Sequence, residues 1–147
     1  LWENGLPWGS FLTLAPISHF QIPSVLWETD VALFPNRCEG GTNLMAMEAL
    51  ACGLPTILSA NTGHLDLIDE THCYPLWKQQ KVIPPFPDWG VEDWGESQIE
   101  EILEQLETIY HDQKTATLKG LKAAQFMKEW TWEKQFQKML AIISPFL

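Results

Sequence analysis

The chain has 147 residues, 46% of them apolar and 12% aromatic, and is long enough to bury roughly 70% of its unfolded surface in one domain. Eight tryptophans and seven phenylalanines exclude a disordered, collagenous or coiled-coil chain, and no apolar run approaches the ~20 residues of a membrane helix. Nineteen acidic against nine basic residues give a formal net charge of -10, which repels a phosphate backbone and argues against nucleic acid as a partner.

Taken in chain order, Phe11-Leu12-Thr13-Leu14 reads as a short strand ended by Pro16. Ser18 to Glu28 carries Phe20, Val25 and Leu26 and predicts a short helix begun near Pro23. Val31-Ala32-Leu33-Phe34 is a continuous apolar run stopped by Pro35, the mark of a strand buried on both faces. A loop, 36–43, leads into a helix from Leu44 to Cys52, with Gly53 as its stop and Pro55 just beyond. Thr56 to Ser59 predicts another strand, His64 to Asp69 another short helix, and Cys73-Tyr74 the start of a further strand. Strands alternating with helices imply an α/β fold: a three-layer α/β/α, Rossmann-like parallel sheet.

Residues 75–96 break the pattern. Four prolines (Pro75, Pro84, Pro85, Pro87) and three tryptophans (Trp77, Trp89, Trp94) predict an irregular connection, the tryptophans filling space between layers. The rest, 97–147, is helical. Ser97 and Glu100 have capping-box spacing, and Ile99, Ile102, Leu103, Leu106, Ile109 and Tyr110 mark one apolar face. A second helix is expected from Thr115 to Glu129. A third, from Thr131, carries Trp132, Phe136, Met139, Leu140 and Ile143 on one face. All three stripes are expected to be core, with Trp132 and its neighbours packing on a further domain as the other reading.

One segment reads as a site. A buried strand delivers the chain to Gly40-Gly41, and the loop feeds directly into a helix, the place where open parallel sheets bind ligands. Glycines let backbone approach a ligand closely. Thr42 or Asn43 can cap the helix, leaving the N–H groups of Asn43, Leu44 and Met45 facing outward with about half a positive charge behind them. That combination makes an anion pocket. Glu48, one turn further in, is suited to accept hydrogen bonds from a pair of sugar hydroxyls.

The string from Pro35 to Ser59, with Glu39-Gly40-Gly41 and Glu48-Ala49-Leu50-Ala51-Cys52-Gly53-Leu54-Pro55 inside it, resembles the donor-site segment of GT-B glycosyltransferases of family 4 (group 1). Thr29-Asp30-Val31 upstream, Asn61-Thr62-Gly63 downstream and Thr131-Trp132-Glu133 near the end extend the resemblance over nearly the whole chain. The resemblance implies that Glu48 binds the ribose hydroxyls of a nucleotide and that Glu39 contacts the donor sugar as the catalytic-site carboxylate. It implies further that Gly40 to Met45 (Gly40, Gly41, Thr42, Asn43, Leu44, Met45) line the diphosphate. The donor would be a nucleoside-diphosphate sugar and the acceptor a carbohydrate, lipid or other hydroxyl. Transfer would proceed with retention, and no cofactor or metal is expected.

Two features depart from the family pattern. Glu39 and Glu48 are separated by eight residues, one more than the family has, so the loop is longer by one. The family also uses an Arg and a Lys from an earlier segment, whereas the first Arg or Lys here is Arg37, read as a surface residue. The chain is therefore expected to be part of the carboxyl-terminal nucleotide-sugar-binding domain of a longer protein whose amino-terminal acceptor domain is missing, and to be inactive alone. A binding module without transfer activity and a structural α/β module are the alternatives.

His64, Asp66, His72 and Cys73 include metal-ligand types at a spacing that fits no zinc pattern, and are read as scattered core and surface residues. Cys38, Cys52 and Cys73 form no C-x-x-C pair, which points to a reducing, cytoplasmic setting, with room for peripheral membrane association of the parent.

Overall fold

The computed structural model describes residues 2–86 and 90–146. Three short strands, β1 (Ala32–Phe34), β2 (Thr56–Ser59) and β3 (Tyr74–Leu76), form a parallel sheet in that order. The register sets Leu33 beside Ile57 and Phe34 beside Leu58 in one pair, and Ile57 beside Tyr74 in the other. Because side chains alternate along a strand, Ile57 and Leu58 enter opposite faces, and both faces are covered. Leu58 packs with Ala46 and Leu50 of α2 (Leu44–Ala51) and with Ala123 and Met127 of α4 (Gln113–Met127). Ile57 packs with Ile109 of α3 (Ile99–His111) and with Ala116. The fold is thus the expected three-layer α/β/α arrangement.

Gly53 ends α2 at φ +77°, a conformation that strains any residue with a Cβ. A Cβ on Gly120 would overlap the Gly53 carbonyl, so this glycine lets α4 lie directly against the end of α2. A helix-interior glycine that looks like a defect in the sequence is a packing contact. Asp112 caps α4 by accepting from Thr115 N at 3.0 Å, so that the helix begins at Gln113, two residues ahead of the expected start.

Several expectations fail for identifiable reasons. Residues 11–14 form no strand among the described residues, and Leu12 is 83% exposed. The helix near Pro23 is one short turn, α1 (Ile22–Leu26), after a 3-10 turn at His19–Gln21, and Phe20 faces solvent. The helix expected at His64–Asp69 is a 3-10 turn, Thr62–Asp66.

The segment 75–96 contains more structure than its composition suggests. Pro75 lies inside β3, tolerated because β3 is a sheet edge. Strand β4 (Gln79–Lys81) pairs antiparallel with β5 (Gly95–Ser97), and its polar residues carry no apolar signal. Trp77 is half-exposed and donates to Glu70 at 3.0 Å rather than filling space between layers. Pro87 and Trp89 lie outside the described residues.

The Ser97–Glu100 capping box does not form. Ser97 belongs to β5, where its hydroxyl accepts from Gln79, and Gln98 precedes α3 without a side-chain cap. Only Ile102, Leu106 and Ile109 of the expected stripe face the sheet, while Ile99, Leu103 and Tyr110 are exposed. Beside them Glu101 is buried, its two oxygens taking the Trp77 and Lys78 N–H groups at 3.0 and 2.9 Å. Helix α5 (Trp132–Ile143), capped by Thr131, buries no residue, and Trp132 is 92% exposed. Its stripe is not part of the described core. No helix among the described residues is long and apolar enough to cross a membrane.

Candidate functional site

The loop 36–43 leaves the carboxyl end of β1 and enters α2, as the glycine pair and the following apolar run require. Asn43 is the N-cap: its amide oxygen accepts from Ala46 N at 3.1 Å, and the first backbone bond of the helix runs from Met47 N to Asn43 O at 3.0 Å. The N–H groups of Leu44 and Met45 precede that bond and have no intrahelical acceptor. Leu44 and Met45 are exposed, as are Gly40 and Gly41, so this end of α2 is open to a ligand.

Glu39 is half-buried and held from both sides. Its Oε1 accepts from Asn36 at 2.6 Å and from Asn43 at 3.0 Å. Its backbone N–H donates to the Thr62 hydroxyl at 2.7 Å, and its carbonyl accepts from Gly63 at 3.3 Å. A Cβ on Gly63 would overlap the Gly41 carbonyl, so the turn after β2 can sit against the double-glycine loop only with glycine there. The Glu39 carboxylate is thus held by two amides of its own loop and helix start rather than loose.

Glu48 lies in the second turn of α2 with a quarter of its side chain exposed. Its Oε1 is 3.3 Å from His19 Nδ1, whereas its Oε2 is buried without a hydrogen-bond partner among the described residues. Burial and the Glu48 charge, one turn away, both push the Cys52 thiol up. Sequence reasoning missed His19, because nothing in the local pattern indicates that residues 19 and 48 meet.

It also missed the group beneath the loop. His64 is fully buried, with Nε2 3.0 Å from Asn43 Nδ2 and Nδ1 3.1 Å from the Ser59 carbonyl. Burial pulls its imidazole below the usual range, against the opposing effects of the Ser59 carbonyl and Glu39. The Ser59 hydroxyl and the Asn61 amide both donate to the Asn36 carbonyl, at 2.7 and 2.9 Å, tying the ends of β1 and β2 together. His72 lies apart from His64, stacked on Phe126. Arg37 pairs with Glu96 of β5 and is a surface residue.

A cavity of about 820 Å³ lies at the other end of the sheet, between α1, α3 and the residues that precede β1 and β2. Leu26, Trp27, Val31, Leu54 and Tyr110 line part of it. It stands at the amino ends of parallel strands, opposite to where such sheets place ligands, and no carboxylate of the loop reaches it.

A structural match supports the fold: the crystal structure of Anabaena HepE in complex with UDP superposes with a TM-score of 0.59 at 17% identity. The match covers 82% of this chain but 29% of HepE, so the chain spans less than a third of that protein's length. No curated protein matches the chain. A sequence profile described as family 4 glycosyltransferase in conflict systems matches residues 18–139, from the His19 turn through most of α5. The chain belongs to this family of glycosyltransferases.

Proposed function

We propose that the chain is the nucleotide-sugar-binding part of a glycosyltransferase, the carboxyl-terminal portion of a protein whose other domain binds the acceptor. The observation that carries this reading is the pair of carboxylates flanking the open end of α2. Glu39 has one oxygen tied by two amides, and Glu48 has a buried oxygen with no partner among the described residues. A buried unpaired carboxylate oxygen is costly, and the two hydroxyls of a ribose would satisfy it. The N–H groups of Leu44 and Met45 would meet the diphosphate, favoured by the helix dipole. Glu39 would then face the donor sugar. The presence of UDP in the HepE crystal structure supports a nucleoside diphosphate as the ligand class.

In the reaction, the bond from the anomeric carbon to the diphosphate oxygen breaks, and a bond from that carbon to the acceptor hydroxyl oxygen forms. The acceptor proton passes to a diphosphate oxygen, and the new bond keeps the original anomeric configuration. No protein nucleophile is required. Because Arg37 is engaged by Glu96, cations for the diphosphate would come from the rest of the parent protein. The isolated chain would not turn over, since catalysis depends on holding donor and acceptor together.

The longer loop between Glu39 and Glu48 favours a second reading, a nucleotide-sugar-binding module without transfer activity. Ligand-observed NMR with UDP, GDP and ADP tests the shared part of both. Binding lost on Glu48→Ala supports either reading, and turnover by the full-length parent separates them. Binding that survives the substitution would overturn the ribose assignment.

A further inference from the structure

The hydrogen bonds beneath the loop admit a single arrangement of protons. As the N-cap, Asn43 must turn its amide oxygen toward Ala46 N–H. Its NH2 group therefore faces both Glu39 Oε1 and His64 Nε2, each at 3.0 Å. A proton on His64 Nε2 would set donor against donor, so that nitrogen is the acceptor and the ring proton resides on Nδ1. Nδ1–H then donates to the Ser59 carbonyl at 3.1 Å. The Ser59 hydroxyl, 3.0 Å from Nδ1, spends its own proton on the Asn36 carbonyl. Flipping the Asn43 amide would satisfy a protonated Nε2 but would uncap α2 and turn an amide oxygen against the Glu39 carboxylate.

We infer that His64, as the neutral Nδ1–H tautomer, is a positioning residue that orients Asn43 and through it holds the Glu39 carboxylate at the sugar end of the donor pocket. The inference rests on the reading of Glu39 as the donor-sugar contact. His64 touches no ligand itself. It passes the position of the β2 end to the loop after β1, so that one side-chain amide caps the helix that meets the phosphates and aligns the carboxylate that meets the sugar. Buried networks of this kind are satisfied as a unit or not at all.

The test uses the 147-residue protein, its His64→Leu and His64→Gln variants, and two matched ligand pairs, UDP with UDP-glucose and GDP with GDP-mannose. His64→Leu is expected to weaken nucleotide-sugar binding by roughly tenfold while leaving the nucleoside diphosphate within about twofold, the loss of one hydrogen bond to a charged group. His64→Gln, whose amide can still accept from Asn43, is expected to restore most of it. An equal loss for nucleotide and nucleotide sugar, or no loss for either, would overturn the inference. Nitrogen-15 NMR of the wild-type imidazole at neutral pH gives a readout independent of ligand and of the variants' folding. A protonated Nδ1 with a bare Nε2 is expected, and a protonated Nε2 would overturn the inference. If the wild type binds none of the four ligands, the donor reading fails, and the ring signals still decide how His64 holds Asn43.

Discussion

His19 Nδ1 sits 3.3 Å from Glu48 Oε1, although 28 residues separate them and His19 is largely exposed. The contact joins the turn before α1 to the second turn of α2. It leaves Oε2 buried and without a hydrogen-bond partner among the described residues. Replacing His19 by Ala frees the carboxylate to rotate and is expected to weaken nucleotide binding by about 3- to 10-fold, the value of one modest hydrogen bond. Titration calorimetry beside Glu48→Ala would show the smaller loss for His19. An equal or larger loss would mean that His19 meets the nucleotide directly.

The buried His64 makes stability depend on pH in a defined window. Burial lowers its folded-state pKa below the 6.5 of a free imidazole, so the unfolded chain takes up the proton first. Stability is therefore full above about pH 6.5 and falls as the pH drops from there toward the folded value. The depressed carboxyls of Asp69 and Asp112, held by bonds to Thr71 and Thr115, act in the same direction only below 3.8. The depressed Glu129, held by Lys134, does so only below 4.5. Urea midpoints should thus hold above about pH 6.5 and decline as the pH falls below it, and His64→Gln should flatten that decline. A slope unchanged in the variant would assign it to another group.

Gly63→Ala places a Cβ into the Gly41 carbonyl, a backbone atom that cannot move without the loop. The expected cost is about 1–3 kcal/mol of stability, with the Glu39–Gly63 hydrogen bond broken. Chemical denaturation measures the first, and amide exchange at Gly63 reports the second. Full stability would show that the turn and loop do not pack as described.

Much of the fold was legible because its signals are local. Val31 to Phe34 is a short apolar run closed by Pro35, although Leu33 is exposed rather than buried on both faces as expected. Thr56 to Ser59 is a buried strand around Ile57-Leu58, and Gly53 with Pro55 marks the end of α2. The glycine loop before α2 was legible for the same reason, down to Asn43 as one of two candidate caps. What was hidden depends on residues far apart in sequence. His64 approaches Asn43 only once β2 lies beside β1. Gln79 to Lys81 pair with Gly95 to Ser97 through backbone bonds that composition does not encode. Ser97 had the spacing of a cap, but a strand partner claimed its hydroxyl.

The α5 stripe illustrates the opposite error, since amphipathic spacing identifies a face but not its neighbour. Trp132 and Phe136 are exposed by 92% and 54%. The double substitution Trp132→Glu and Phe136→Glu should shift the stability of this chain by no more than about 0.5 kcal/mol. A larger loss would show that the helix packs on the core in solution.

The most direct test of the account is a two-dimensional NMR titration of the chain with UDP beside uridine, GDP beside guanosine and ADP beside adenosine. At least one diphosphate should shift the backbone amides of Thr42, Asn43, Leu44 and Met45. Its nucleoside should leave them nearly unmoved, and Glu48→Ala should weaken the response. Shifts confined to Leu26, Trp27, Leu54 and Tyr110, around the cavity at the other end of the sheet, would contradict it.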